Sequence, residues 1–266
     1  MIGFIGAGNM ASAIIRGLVS SKKYKGEDIA VYDLCKEKAE ELKNELYVNV
    51  MESEAEIVNN CEAVVLAVKP NVFPCLLEKI GNELKEKDPL IISIAAGKTT
   101  DNITALLPYT PKLIRIMPNI NAKVQAAISA FCANERATEK DKEFVKEFCD
   151  CFGRGIEIDE KLFSIYSAIG GCSPAFCFMF IDSMARAAVK NGMTKSQALE
   201  TAAQAVLGSA KLILESDEHP WKLVDAVCSP GGTTIEGVCS LQESGFEAAV
   251  EKAVEASFKK DKSLAE

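Results

Sequence analysis

Two short stretches of the chain carry residue types that do chemistry at a fixed spacing. The first is Gly6-Ala7-Gly8-Asn9-Met10-Ala11, which follows the apolar run Ile2–Ile5 and opens a helical pattern. In that context a G-x-G-x-x-A sequence reads as a dinucleotide-binding loop. Gly6 permits the tight turn, Gly8 lets the backbone approach a pyrophosphate, and Ala11 keeps helix and strand close. The diphosphate then lies at a helix N-terminus, where free N–H groups and the helix dipole favour an anion. The plainer alternative is a glycine turn with no ligand. The second stretch is Cys228-Ser229-Pro230-Gly231-Gly232-Thr233-Thr234-Ile235-Glu236. Pro-Gly-Gly sets a loop, and Thr233-x-x-Glu236 matches a capping box for the helix that follows. Such a loop offers backbone N–H groups to a carboxylate, and Thr234 adds a hydroxyl. Taken alone, it reads equally as an ordinary capped turn.

Other chemistries find little support. There is one histidine, His219, which excludes a three-histidine zinc site and leaves a Ser-His-Asp triad resting on one residue. His219 stands at a helix start and reads as a surface or interface residue rather than a general acid. The ten cysteines include no C-x-x-C pair, and Cys149 and Cys151 diverge on a helix, so they read as reduced thiols packed as small hydrophobes. With 38 acidic against 30 basic residues, the charge of −8 argues against a nucleic-acid partner. The opening Met1-Ile2-Gly3-Phe4-Ile5 has no basic n-region and is not expected to be a signal peptide. The most apolar stretch, 168–189, contains Pro174, Asp182 and Arg186 and is expected to be too interrupted for a membrane span. The expectation is a cytoplasmic protein with no membrane partner.

The elements that must position the two motifs follow from the hydrophobic pattern. Through the first half, short apolar runs (2–5, 29–32, 48–50, 63–68, 90–94 and 113–117) alternate with helical stretches, and 126–133 and 155–158 extend the series. Alternation of this kind with near-continuously apolar strands predicts a parallel sheet covered on both faces by helices. After Asp159 the strand-like runs give way to long helical segments at 161–190, 194–215, 220–227, 234–242 and from 246 onward. Thr194-Lys195-Ser196-Gln197 is a capping box for the second of these, and Gly192 suits the left-handed end of the first. The fold class is therefore α/β: an N-terminal Rossmann-type doubly wound parallel sheet over 1–158, then an all-α C-terminal domain over 159–266. The second part is expected to bind substrate and to complete its core against another subunit.

Ligands of open α/β sheets bind outside the carboxyl ends of the strands. Those ends supply Asp33 after the second strand, Ala67-Val68-Lys69-Pro70 after the fourth, Ala96 and Gly97 after the fifth, and Pro118 and Asn119 after the sixth. An acid at Asp33 would bond the adenosine ribose 2′-hydroxyl and disfavour a 2′-phosphate. Lys36 and Lys38 follow closely and could receive a phosphate, and Asp33 serves equally well as a helix cap. The cofactor is thus NADPH or NADH, with Asp33 favouring NADH.

GAGNMA after the first strand, AVKP after the fourth, AAG after the fifth, RIMPN after the sixth and SPGGTT in the helical half together resemble the pyrroline-5-carboxylate reductase family. The resemblance spans essentially the whole chain, and SPGGTT is its most discriminating part. It implies reduction of 1-pyrroline-5-carboxylate to L-proline with NAD(P)H, the last step of proline biosynthesis, by a homodimer or a ring of dimers. On that reading Ser229, Gly231, Gly232, Thr233 and Thr234 hold the substrate. The N–H groups around Gly232, Thr233 and Thr234 take the carboxylate, and the Thr234 hydroxyl acts catalytically on the ring nitrogen. Lys69 stands as either a proton donor or a residue facing solvent or cofactor. Two departures from the family pattern are Gly170-Gly171-Cys172-Ser173-Pro174-Ala175-Phe176, where S-G-S-G-P-A-Y is usual, and Ser53-Glu54, where an asparagine is common. Glu54 beside Asp33 would again disfavour a 2′-phosphate. A β-hydroxyacid dehydrogenase would need a lysine soon after Gly170-Gly171, and the next is Lys190. A non-catalytic dinucleotide sensor would have no use for the SPGGTT loop.

Overall fold

The computed structural model describes residues 1–265. Eight strands form one sheet: β1 (Ile2–Ile5), β2 (Ile29–Tyr32), β3 (Asn49–Val50), β4 (Ala63–Leu66), β5 (Leu90–Ser93), β6 (Leu113–Met117), β7 (Ala127–Ala133) and β8 (Gly153–Glu157). The helices between them are α1 (Asn9–Ser20), α2 (Lys36–Leu46), α3 (Glu54–Asn60), α4 (Phe73–Lys87), α5 (Thr100–Thr104) and α6 (Glu139–Asp150). Strands β1, β4 and β5 are buried at every position, as a sheet covered on both faces requires. One core lies against α1 and α6, where Ile14, Leu18, Phe148 and Phe152 meet Phe4 and Val65 of the strands. The other lies against α3 and α4, where Ile57, Phe73, Leu77 and Ile80 meet Val64 and Ile91.

The strand order is β3-β2-β1-β4-β5-β6-β7-β8. The chain reverses direction of growth between β1 and β4, so the crevice for a ligand opens at the carboxyl ends of those two strands. The sheet departs from the all-parallel expectation at one place, because β7 runs antiparallel to β6. The segment joining them holds only a 3-10 turn, Ile120–Val124. A parallel return needs a crossover of a dozen or more residues, which this connection lacks.

Past β8 the chain enters a 3-10 turn (Glu160–Leu162), then α7 (Phe163–Tyr166), a π-helical segment (Ser167–Cys172) and α8 (Ser173–Lys190). By its packing, the compact unit built on the sheet runs to Gly171 and takes in the chain from Phe258, and Cys172–Ser257 forms the second compact unit. Glu160, Phe163 and Tyr166 explain the longer reach. Glu160 pairs with buried Arg115 of β6 at 3.0 Å and accepts bonds from the N–H and hydroxyl of Thr100. The Arg115 guanidinium also lies 4.3 Å from the centre of the Phe163 ring, and the Tyr166 hydroxyl donates to the Ile128 carbonyl.

The second unit carries the rest of α8, then α9 (Lys195–Glu215), α10 (Pro220–Val227), α11 (Thr233–Glu243) and the first part of α12 (Phe246–Ala265). Helices α8 and α9 close on small residues, Ala185 against Ala198 and Ala202. Gly192, at φ +99°, ends α8 with its N–H on Val189 and the Met193 N–H on Ala188, the paired bonds of a Schellman turn. Phe178, Met179, Leu207, Leu214 and Val227 stay more than half exposed, so this unit alone leaves a large apolar surface uncovered. The helical run Glu160–Lys190 also corrects the sequence expectation, being long and apolar enough by composition to cross a membrane. Pro174 sits in the first turn of α8, where no N–H is needed, and Asp182 pairs with Arg186 one turn on. Neither breaks the helix.

Candidate active site

Gly6 turns the chain at φ +106°, and a Cβ there would lie 2.6 Å from the Ala67 carbonyl oxygen. The glycine is therefore required both by its backbone angle and by the approach of the β4 end. Its N–H donates to the Tyr32 carbonyl at 2.7 Å, which ties the turn to β2 as well. Gly8 differs. It caps α1 at φ −70°, an ordinary angle, and no heavy atom lies within 4 Å of where its Cβ would stand. No side chain caps α1. The helix therefore presents the N–H groups of its first turn beside open space, as anion binding requires. Asn9 is exposed and Met10 half-buried at this mouth, and Ala7 and Ala11 pack beneath.

Asp33 is neither a helix cap nor a free carboxylate. One oxygen accepts from the Ala7 N–H at 2.7 Å, the other from the Cys35 N–H at 2.8 Å, and Cys35 takes the cap position of α2. The acid ties the glycine loop to the β2–α2 turn. Glu54 overturns its expected role beside Asp33. It is buried at the start of α3, and its carboxylate is neutralised by Lys79 of α4 at 2.7 Å. Ser53 simply caps α3 through the Glu56 N–H.

The other strand ends divide by burial. Ala67, Val68 and Pro70 are half-buried and Lys69 is exposed after β4. After β5, Ala96 is exposed and Gly97 turns at φ +71°. After β6, Pro118 is half-buried and Asn119 is buried with its amide committed. Its Nδ2 donates to the Gly170 carbonyl at 2.8 Å, and its oxygen accepts from the Asn121 N–H at 3.1 Å. Asn119 thus links the β6 end to the π-helical segment, which makes it a brace of the crevice wall.

A cavity of about 870 Å³ opens over the glycine loop, bounded by Gly8, Asn9, Ser12, Lys38, Lys69 and Lys123 among others. Arg16 and Glu41 also line it, so its ionisable groups are four cations and one carboxylate. Arg16 is held by Glu45 through a fork of two close bonds, which raises its proton affinity further. Size, open backbone donors and cationic lining fit a dinucleotide. Ser12 and Arg16 escaped the sequence reading, although they follow Gly8 at one-turn intervals along α1. Lys123 had no local signal, because the turn after β6 reaches the cleft only in three dimensions.

In the second unit the Ser229–Thr234 loop makes a tight turn, with the Gly232 N–H on the Ser229 carbonyl at 3.0 Å and Gly231 at φ +67°. The expected capping box is not formed. Gly232 is the cap residue, α11 begins at Thr233, and no side chain caps it. The Gly232 N–H is spent on the turn, so the donors left for a carboxylate are those of Thr233 and Thr234 in the first helical turn. Both threonines and Ser229 are exposed. His219 caps α10, its Nδ1 accepting from the Trp221 N–H at 3.3 Å. Among the described residues no cluster of three or more His, Cys, Asp or Glu is placed to hold a metal ion.

A doubly wound sheet with an open glycine loop at its switch point, continued by a helical unit whose Ser229–Thr234 turn opens an uncapped helix, fits a two-part nicotinamide-dependent oxidoreductase. The family model for NADP oxidoreductase, coenzyme F420-dependent, matches residues 1–97, and that for pyrroline-5-carboxylate reductase dimerisation matches 160–264. The chain is 43% identical to the pyrroline-5-carboxylate reductase of Escherichia coli K12, over 99% of its own length and 97% of that protein. It superposes on the pyrroline-5-carboxylate reductase of Coxiella burnetii with a TM-score of 0.94, at 31% identity, covering 100% of this chain and 98% of that one. The Plasmodium falciparum pyrroline carboxylate reductase, solved with NADP bound, superposes with a TM-score of 0.87 at 31% identity, covering 100% and 98%. The chain belongs to the pyrroline-5-carboxylate reductase family. It is an oxidoreductase that acts on a small molecule and assembles as a homo-oligomer.

Proposed function

We propose that this protein reduces 1-pyrroline-5-carboxylate to L-proline with NADPH or NADH, the last step of proline biosynthesis. The observation that carries the reading is the Ser229–Thr234 turn, which leaves two helix N–H groups and a threonine hydroxyl exposed in a chain of this family. The cofactor-binding part is taken as 1–158, with contacts from Gly6 to Ala11, Asp33, Ala67 to Pro70, Ala96, Gly97, Pro118 and Asn119. Residues 159–266 form the substrate-binding and dimerisation part. The open cap at Gly8 receives the diphosphate, and Asp33 and Asn119 hold the loops around it. The exposed apolar side chains of α8 and α9 are assigned to a subunit interface rather than to lipid, in a cytoplasmic enzyme whose dimers assemble further into a ring.

When bound, the reduced nicotinamide supplies the hydride that the carbon of the protonated C=N bond accepts, and the ring nitrogen becomes an amine. A protonated imine is already electrophilic, so the protein's work is placement, charge complementarity and exclusion of water. The N–H groups of Thr233 and Thr234 hold the substrate carboxylate, with the Ser229 hydroxyl assisting and Gly231 and Gly232 shaping the turn. The Thr234 hydroxyl bonds the ring nitrogen and orients the ring. Removing one aimed bond of this kind costs about 10²–10³ in rate. Initial rates with 1-pyrroline-5-carboxylate and NAD(P)H test the reading, and Thr234→Ala should lose turnover by that factor while Thr234→Ser restores most of it. Full turnover in Thr234→Ala removes the role given to that hydroxyl, and no oxidation of either cofactor by the parent enzyme overturns the function.

A further inference from the structure

We infer that Glu160 is a positioning residue: through Thr100 it fixes the loop after β5, so that Ala96 and Gly97 meet the nicotinamide half of the cofactor in a set place. This rests on the reading of the strand ends as the NAD(P)H site. A doubly wound sheet binds a dinucleotide with one half on each side of its switch point. The end of β2 lies on the side that takes the adenosine. Strands β4, β5 and β6 form the other side, so Ala96 and Gly97 fall to the nicotinamide half. Glu160 stands 60 residues along the chain from Thr100, and no local pattern joins the two.

The loop itself is weakly tied. At its start the Ile94 N–H donates to the Leu66 carbonyl at 3.3 Å, and the Ala95 N–H to the Ser93 hydroxyl at 3.3 Å. At its end the Thr99 N–H donates to Asn102 Oδ1 at 3.4 Å. Between these, Ala96, Gly97 and Lys98 bond to no other element among the described residues, and Gly97 turns at φ +71°. Thr100 is buried and held far more closely. Its N–H donates to one Glu160 oxygen at 2.9 Å, and its hydroxyl to the other at 2.7 Å. That N–H is a first-turn donor of α5 with no partner in its own helix, and the carboxylate supplies one. Arg115 grips the same carboxylate at 3.0 Å. The guanidinium is buried against Phe163, and Glu160 is its only acceptor among the described residues. Arg115 also pairs in register with Ser93 at the end of β5. The Arg115 pair alone would answer the buried charge. The two bonds to Thr100 go further, because they pass the fixed position of the sheet to the loop through charge-assisted contacts.

The test compares the full-length parent with Thr100→Val, Thr100→Ser and Glu160→Gln. Valine keeps the shape of threonine and the backbone bond but removes the hydroxyl, so it loosens the loop without stripping Arg115 of its counter-charge. A reacting group misplaced by about 1 Å costs about 100-fold in rate. The single-turnover rate of hydride transfer from NADPH to 1-pyrroline-5-carboxylate should therefore fall by about 10-fold in Thr100→Val and by about 10- to 100-fold in Glu160→Gln. Calorimetric titration with 5′-ADP, which fills only the adenosine half, should match the parent within about 2-fold in both. Thr100→Ser should return most of the lost rate. An unchanged hydride-transfer rate in Thr100→Val overturns the assignment. So does a 5′-ADP affinity that falls as far as the rate, because that marks a general loosening of the sheet unit. If Glu160→Gln fails to fold, Thr100→Val decides alone. A parent that binds NADPH without reducing 1-pyrroline-5-carboxylate removes the proposed function instead. In that case the nicotinamide fluorescence of bound NADPH decides: a change in Thr100→Val supports the role of Glu160, and emission identical to the parent's overturns it.

Discussion

Gly8→Ala separates folding from cofactor binding, because the structure gives that glycine no steric task inside the protein. Its φ of −70° suits alanine, and the added methyl meets no atom within 4 Å. Alanine is a poorer helix cap than glycine by several tenths of a kcal/mol, up to about 1. Against that, it removes unfolded-chain freedom worth about 0.4–1 kcal/mol. The two effects offset, so stability should change by less than about 1 kcal/mol, or about 2–4 °C in Tm. The methyl would stand where a diphosphate must approach the α1 N–H groups. Displacing one such charge-assisted bond costs about 1.5–3 kcal/mol, which is about 10- to 100-fold in affinity. Gly6→Ala is the contrasting variant. With φ at +106° and the Ala67 oxygen 2.6 Å from the new Cβ, it should lose on the order of 3 kcal/mol of stability. Thermal unfolding and NADPH titration by fluorescence, run on both variants, give the answer. If Gly8→Ala binds NADPH as tightly as the parent, the open space above Gly8 is not the diphosphate site. If it unfolds as readily as Gly6→Ala, the steric reading of the loop is wrong.

Two further outcomes concern the sheet unit. Glu160→Ala strips the counter-charge from Arg115, which is 7% exposed, and should cost on the order of 3 kcal/mol in urea denaturation. A loss below about 1 kcal/mol would mean that the pair does not hold the start of the helical run to β6. Burial lifts the Cys61 thiol from an ordinary 9.0 to about 11, and burial followed by the Glu160 charge lifts Cys132 to about 12. Both pKa values are raised in the folded state, so the stability these thiols contribute is whole below pH 9 and drains away as pH climbs through 11 and 12. At pH 8 both should therefore resist a thiol reagent in the folded protein and react once it is unfolded in urea. Reaction of either at the rate of exposed Cys35 would contradict their burial.

Much of the fold was legible because its signals are local. The strands of the first half are apolar runs with turn residues at their ends, and each helix shows a 3.6-residue period, so their type and order follow from neighbours along the chain. Gly192 could be assigned to the end of α8 from spacing alone, since a Schellman turn is closed by residues within one turn of each other. The glycine loop was legible for the same reason: strand, turn and helix are consecutive. The substrate turn was legible as a loop, but its internal bonds were not. Whether Thr233 caps α11 or Gly232 does depends on the backbone angle at the junction, which the residue types leave open.

What only the tertiary structure decided is where charges and carbonyls find partners far along the chain. Glu54 and Lys79 lie on different helices, and their pairing removes an acid that, read along the sequence, stood next to the ribose. Asp33 reaches back to Ala7 of the preceding loop, and Arg115 forward to Glu160 past two strands. The antiparallel turn of β7, the reach of the sheet unit to Gly171, and the arrival of Lys123 in the cofactor cleft have the same origin. Composition and periodicity determine which elements form and which face of each is apolar. Electrostatic partners are set by distance in space, and the sheet brings together residues that the chain separates by dozens of positions.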